Sequence, residues 1–222
     1  MDALPMIGFT RHRIAIDGEG VTTLITFHHC PLRCQYCLNP QCLVPHGVWR
    51  MMTVDEMVER CLPDNLYYLA TGGGVTFGGG EPLLRSEAIK EFCGKVPEGW
   101  RISVETSLNV DSSHVKRLLP CIHHYYVDIK DMNPDIYRRY TERSNEQVLS
   151  NLRLLAEHGK AGDVTVRVPH IPNYNTDADV QASIARLKEM GFSQFDEFNY
   201  VIRPEKAKAI EEEGKRREQN QT

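Results

Sequence analysis

The chain has 222 residues, 26 Lys+Arg against 30 Asp+Glu, with 41% hydrophobic and 25% charged positions. That balance describes a folded globular chain and excludes a disordered one. A net charge of −4, no basic stripe and no apolar run near the ~20 residues of a membrane span set aside nucleic-acid binding and membrane insertion.

In chain order, residues 1–13 lack the apolar core of a signal peptide, which places the chain in the cytoplasm with its thiols reduced. Six short runs rich in β-branched or aromatic residues are predicted strands: 21–27, 74–77, 101–106, 125–128, 164–168 and 197–201. Helices fit between them. Thr53 with Glu56 and Ser144 with Gln147 match capping boxes, and Asp111 is a good N-cap. After Thr176, Val180, Ile184 and Leu187 share one helical face, and Gly191 sits where that helix should stop. Strands alternating with helices imply right-handed crossovers and a parallel sheet, either doubly wound or an incomplete barrel. Both architectures gather chemistry at the carboxyl ends of the strands.

The strongest signal follows the first predicted strand: Cys30, Cys34 and Cys37, spaced C-x3-C-x2-C. Soft thiolates packed on one loop in a reducing compartment point to a metal rather than to disulfides. Zinc would need a fourth ligand, which only Cys42, His28 or His29 could offer nearby. A redox reading of Cys34 and Cys37 does not account for the third thiol. Three thiolates suit a four-iron, four-sulfur cubane with one iron left without a protein ligand. Cys42, Cys61, Cys93 and Cys121 stand at other spacings and are read as free thiols, and the charged run 211–217 as a solvated helix end. The second strand runs into the glycine-rich stretch from Gly72 to Gly80, followed by Glu81 and Pro82. The third ends in Glu105-Thr106-Ser107, the fourth in Asp128-Ile129-Lys130, and the fifth carries Arg167. Both signs of charge therefore meet at one mouth, as a zwitterionic cofactor would require.

The cysteine motif, with Tyr36 before its third thiol, resembles the cluster motif of the radical S-adenosylmethionine (SAM) superfamily. Gly79-Gly80-Glu81-Pro82 is similar to that superfamily's methionyl-contacting segment. Asp17-Gly18-Glu19-Gly20, Asp128-Ile129-Lys130-Asp131 and Asn151-Leu152-Arg153 resemble its glycyl-radical-enzyme activating family. The resemblance implies a partial (β/α)6 TIM-like barrel of parallel strands with outer helices, as one domain with a core of about 16–203 and a charged tail of about 204–222. It implies a single [4Fe–4S] cluster on Cys30, Cys34 and Cys37. It also implies SAM held by Tyr36, Gly79, Gly80, Glu81, Glu105, Thr106, Asp128 and Lys130, with Arg167 added to the site. A monovalent cation would sit among Glu105, Thr106 and Asp128. The family's histidine after the sixth strand is missing, and Tyr200 or Asn199 stands in its place. Gly78 replaces a common serine, and His28 and His29 replace small or polar residues. The implied activity is reductive cleavage of SAM to a 5′-deoxyadenosyl radical that takes a glycine Cα hydrogen from a partner enzyme, with flavodoxin or ferredoxin as electron donor. Modification of a peptide or small molecule, as in the 7-carboxy-7-deazaguanine synthase-like branch, and a zinc-stabilised binding module are the alternatives.

Overall fold

Val21-Thr-Thr-Leu-Ile-Thr-Phe27 forms a central strand because branched and aromatic side chains cover both of its faces. The computed structural model describes residues 2–200 and 202. Its elements in order are β1 (Leu4–Ile14), β2 (Val21–Phe27), β3 (Arg50–Met52), α1 (Val54–Cys61), α2 (Asn65–Thr71), β4 (Gly74–Gly79), α3 (Ser86–Cys93) and β5 (Arg101–Thr106). There follow α4 (Ser112–Leu118), β6 (His124–Asp128), α5 (Pro134–Thr141), α6 (Glu146–Glu157), β7 (Val164–His170), α7 (Asp177–Glu189) and β8 (Gln194–Asn199). One sheet contains all eight strands in the order β3-β1-β2-β4-β5-β6-β7-β8.

From β2 to β8 each neighbouring pair is parallel and separated by helix, giving the six-unit open barrel expected from the sequence. Ile25, Val75, Phe77, Val104, Val127 and Val166 are fully buried along these strands. Helices pack outside them. Thr53 and Glu56 form the predicted capping box, Asp111 caps α4, and Thr176 opens α7 with Asp179 as its reciprocal partner. Among the described residues no helix is long and apolar enough to cross a membrane.

Three features depart from the sequence reading. Strands β1 and β3 were not anticipated, because β1 contains Pro5, Gly8 and three basic residues and is paired by its neighbours rather than by its own pattern. The sixth parallel strand begins at Gln194 rather than 197, since pairing with Thr165 through His170 carries exposed polar residues into the sheet; its predicted end at Val201 lies outside the described residues. At the second proposed capping box, Ser144 Oγ accepts from Glu146 N–H at 3.2 Å, but α6 starts with Asn145 as its cap and the bond from Gln147 is not made. Asn145 instead donates its side-chain amide to the Met132 carbonyl at 3.1 Å. The charged run 211–217 also lies outside the described residues.

Strand β1 is fastened to the turn before α2 by Asp64, whose buried carboxylate accepts from Arg11 Nε at 2.6 Å and Nη2 at 2.5 Å, with the His12 ring at 2.8 Å. The Arg11 guanidinium holds the Asp64 carboxyl below its ordinary value despite burial. A depressed carboxyl contributes stability that is present above the ordinary carboxylate pKa of about 4 and is lost as pH falls through the folded value. Asp64→Asn should therefore cost about 1.5–3 kcal/mol near neutral pH in urea unfolding, and it should show a smaller loss than wild type between about pH 7 and pH 3. Parallel acid profiles for the two proteins would contradict this.

Candidate active site

The segment from His28 to Pro45 leaves β2 at its carboxyl end and forms no long helix or strand; it is held by its contacts. Gly80 N–H donates to the Phe27 carbonyl and Glu81 N–H to the His29 carbonyl, both at 2.9 Å. Asn39 Nδ2 donates to the Gly79 carbonyl at 3.1 Å, and Arg33 and Gln35 donate backbone N–H groups to Thr141 and Tyr140 at 3.0 and 3.1 Å. The approach is close enough that a Cβ on residue 80 would lie 2.1 Å from the His29 carbonyl oxygen. Only glycine fits there.

Between this loop and the ends of β4 to β8 lies a cavity of about 420 Å³. Cys30, Cys34, Cys37, Gly79 and Gly80 line one side of it, and Glu105, Thr106, Asp128, Lys130, Arg167 and Tyr200 line the other. Asn199 is not among its lining residues, and neither are Tyr36 and Glu81.

Charge in the cavity is paired. Arg167 Nη1 donates to Glu105 at 2.8 Å and its guanidinium lies over the Tyr126 ring at 4.9 Å, while Lys130 Nζ stands 3.8 Å from Asp128 and 5.8 Å from the Tyr200 ring centroid. Burial pushes the Glu105 carboxyl up against the pull of Arg167. Burial works against the Lys130 ammonium too, yet its pKa stands above the ordinary lysine value, with the charge of Asp128 the largest attraction. Four carboxylates line the cavity, Asp17, Glu105, Asp128 and Asp196, and the cations paired with them are Arg13, Lys130 and Arg167, the last shared by Glu105 and Asp196.

Glu81 turns away from the cavity and is 1% exposed. It accepts from Thr106 Oγ1 and Ser107 Oγ at 2.6 Å, from Ser107 N–H at 2.9 Å and from Leu83 N–H at 3.1 Å. It ties the carboxyl end of β4 to that of β5. Tyr36 is 6% exposed and packs edge-on against Tyr140 and Tyr174 at 5.9 and 5.6 Å, behind the cysteine loop. Its hydroxyl donates to the Pro172 carbonyl at 3.2 Å.

The thiols fit a cationic cluster. Burial pushes Cys30 up to about 12, with Glu81 adding to it, and Cys34 up to about 11. Without a metal these groups stay protonated; bound iron would supply the positive charge that thiolates require. Among the described residues no group of three or more His, Cys, Asp or Glu side chains is placed to hold a single metal ion. Sequence reasoning did not assign Asn39, Asp17, Cys42 or Asp196 to the site. Asn39 and Cys42 lie just past the motif; Asp17, buried against Arg13, opens the Asp17-Gly18-Glu19-Gly20 segment but was given no site role, and Asp196 carries no spacing signal.

Gly80→Ala should cost about 1–3 kcal/mol in urea unfolding of the apoprotein, because the His29 backbone has nowhere to retreat, and it should lower the iron retained after reconstitution. Gly159→Ala, with nothing within 4 Å of its added Cβ, is the control for backbone strain alone, its φ being +71°. Equal iron content in both variants would contradict the close-approach argument.

The family model described as the Radical SAM superfamily matches residues 24–187. The (2S)-3-sulfopropanediol dehydratase activating enzyme of Klebsiella oxytoca is 31% identical, over 78% of this chain and 74% of its own length. The indoleacetate decarboxylase activating enzyme of Tractidigestivibacter scatoligenes is 33% identical over 73% of this chain, which spans only 53% of that relative. The pyruvate formate-lyase-activating enzyme of Staphylococcus aureus is 32% identical over 74% of this chain and 67% of its own length. In fold, the chain is similar to Streptococcus suis SuiB bound to S-adenosylmethionine, with a TM-score of 0.59 and 15% identity over 82% of this chain and 41% of that one. It is also similar to coproporphyrinogen III oxidase of Escherichia coli, with a TM-score of 0.56 and 15% identity over 90% of this chain and 51% of that one. With the family model covering most of the chain, and a three-thiol loop closing one end of a six-unit open barrel, this chain belongs to the radical SAM superfamily, whose enzymes use a [4Fe–4S] cluster and SAM.

Proposed function

We propose that this chain activates a glycyl radical enzyme by removing a hydrogen atom from a glycine Cα in a loop of that partner. One observation carries the reading: three relatives at 31–33% identity, over 73–78% of this chain, are activating enzymes by name. When bound, the cluster would supply the electron for reductive cleavage of SAM, and the hydrogen taken from the glycine would leave in 5′-deoxyadenosine with methionine as the other product.

The chain's own residues bind and orient. Cys30, Cys34 and Cys37, which line one side of the cavity, would hold the cluster as thiolates and leave it open to SAM on the side of Glu105, Lys130 and Arg167. Gly79 and Gly80 present backbone to the methionyl amino group with no Cβ in the way. Arg167 and Lys130 face the SAM carboxylate, and Glu105, Thr106 and Asp128 face the positive part of the cofactor. Tyr200 takes the position of the family's missing histidine. Tyr36 and Glu81 act at one remove, the first by packing the cysteine loop and the second by fixing the strand ends. Flavodoxin or ferredoxin is the electron donor.

A protein substrate suits the rim. Ile16 and Leu38 line the cavity and remain 62% and 42% exposed, an apolar lip that a partner loop would cover. On this reading Ile16→Glu or Leu38→Glu raises KM for the partner protein about tenfold, equivalent to about 1.4 kcal/mol, and leaves partner-free cleavage of SAM unchanged.

The direct test is anaerobic reconstitution with SAM, a reduced flavodoxin or ferredoxin, and candidate glycyl radical enzymes, beginning with pyruvate formate-lyase, sulfopropanediol dehydratase and indoleacetate decarboxylase. The expected result is a glycyl radical signal by electron paramagnetic resonance, with 5′-deoxyadenosine formed alongside it. Formation of 5′-deoxyadenosine with a peptide or small molecule altered and every glycyl partner silent would overturn the proposal.

A further inference from the structure

The cysteine loop carries unpaired positive charge on its outer face, although the chain as a whole has a net charge of −4. Arg33 and Arg143 are both exposed there, and neither lines the cavity. They grip three consecutive carbonyls at the root of the motif. Arg33 Nη1 donates to Cys30 at 3.0 Å and to Leu32 at 3.1 Å, and Arg143 Nε donates to Pro31 at 3.0 Å. Each guanidinium uses one nitrogen in this way. Among the described residues neither forms an ion pair, and Glu142, next to Arg143 in the chain, accepts from Gln35 Nε2 at 3.3 Å instead. Arg139 on α5 extends the cationic surface behind Tyr36: it is exposed, donates to the Tyr174 carbonyl at 2.6 Å and lies over the Tyr174 ring at 5.4 Å.

We propose that Arg33 and Arg143 form the docking surface for an acidic electron-carrier protein that reduces the cluster. The inference rests on cluster binding by Cys30, Cys34 and Cys37, as the proposed function does, and not on the identity of the glycyl partner. A guanidinium held by one nitrogen keeps its other two for carboxylates, in a planar fork that a lysine does not offer. Both side chains are bonded to the loop backbone, Arg33 to Cys30 itself, so a carboxylate bound there brings its carrier against the loop that holds the cluster. Electron transfer falls steeply with distance, and contact at that loop favours it. The net negative charge of the chain repels an acidic carrier, whereas unpaired cations beside the loop select the orientation in which it docks. One electron passes from the reduced carrier to the oxidised cluster, with no proton or group moved. Since neither arginine lines the cavity, the docked carrier leaves the site free for SAM and substrate.

The test is stopped-flow reduction of the reconstituted protein by flavodoxin hydroquinone, without SAM or glycyl partner, together with the Kd of oxidised flavodoxin. Wild type is compared with Glu and Gln replacements, Arg33→Glu, Arg143→Glu, Arg33→Gln and Arg143→Gln. Photoreduced 5-deazariboflavin, an uncharged small reductant, reports whether each cluster is intact and reducible. At about 0.1 M salt, where screening acts over about 10 Å, each Glu variant should lower the rate constant and the affinity for flavodoxin about tenfold. Each Gln variant keeps an N–H for the loop carbonyl and should lose less. The wild-type rate should fall as salt rises, and the rates of the Glu variants should fall less steeply. Lys188→Glu, whose lysine lies over the Phe195 ring at the start of β8, changes net charge equally and should leave rate and affinity nearly unchanged. Equal flavodoxin rates and affinities in wild type and the Glu variants would overturn the proposal, whatever these variants do to the KM of a glycyl partner. So would equal slowing with deazariboflavin, or loss of the cluster from Glu and Gln variants alike, either of which would make the arginines supports of the loop only. A wild-type chain that takes up no cluster would instead overturn the ligand assignment on which the proposal stands.

Discussion

Two backbones that touch without side chains between them set the geometry of this molecule. The end of β2 and the first cysteine lie against the end of β4, joined by the bonds from Gly80 to Phe27 and from Glu81 to His29. Backbone hydrogen bonds at that spacing leave no volume for a Cβ at residue 80. The cysteine loop therefore hangs from the sheet at its own root, and the positions of Cys30, Cys34 and Cys37 follow from the parallel register of β2 and β4. His29, next to the first thiol, holds φ +86°, a conformation an L-residue adopts at a cost, and the surrounding bonds keep it there.

From that junction the charged part of the site follows in the order of the strands. Glu81 is buried and accepts four hydrogen bonds, three of them from Thr106 and Ser107, so β5 ends at a fixed height beside β4. Glu105 then meets Arg167 from β7, two strands away, and Asp128 meets Lys130 at the end of β6. Glu105 and Asp128 are thus each paired with a cation from the chain itself. Such an arrangement accepts a zwitterionic, sulfonium-bearing ligand by exchange of partners rather than by burying new unpaired charge.

Much of this was legible in the sequence because parallel strands buried on both faces are rich in branched residues, and because the loops that carry chemistry are marked by cysteine and glycine rather than by pattern. Six strands, the capping residues Thr53 and Asp111, and the addresses of Glu105, Asp128, Lys130 and Arg167 could be read that way. What escaped depends on partners far away in the chain. Strand β1 is made by pairing with β2 and β3 and by Asp64 gripping Arg11, none of which shows in an eleven-residue window holding proline, glycine and three basic residues. Strand β8 begins among exposed polar residues because β7 recruits them. In the site, Glu81 and Tyr36 belong to the expected motifs, yet one faces the core and the other faces three tyrosines. Spacing assigns a residue to a loop and leaves its rotamer open. Cys42 was passed over for the same reason: its interval from Cys37 matches no ligand pattern, and only the turn at Pro40 brings it back to the cavity.

The central claim is that three cysteines leave one iron of the cluster open to the amino and carboxylate groups of SAM. Mössbauer spectroscopy of the anaerobically reconstituted, iron-labelled protein, recorded with and without SAM, tests it most directly. The account predicts that a single iron site changes its spectrum when SAM binds while the other three do not. A cluster with four equivalent, SAM-insensitive irons, or a protein that takes up stoichiometric zinc and no sulfide, would contradict it.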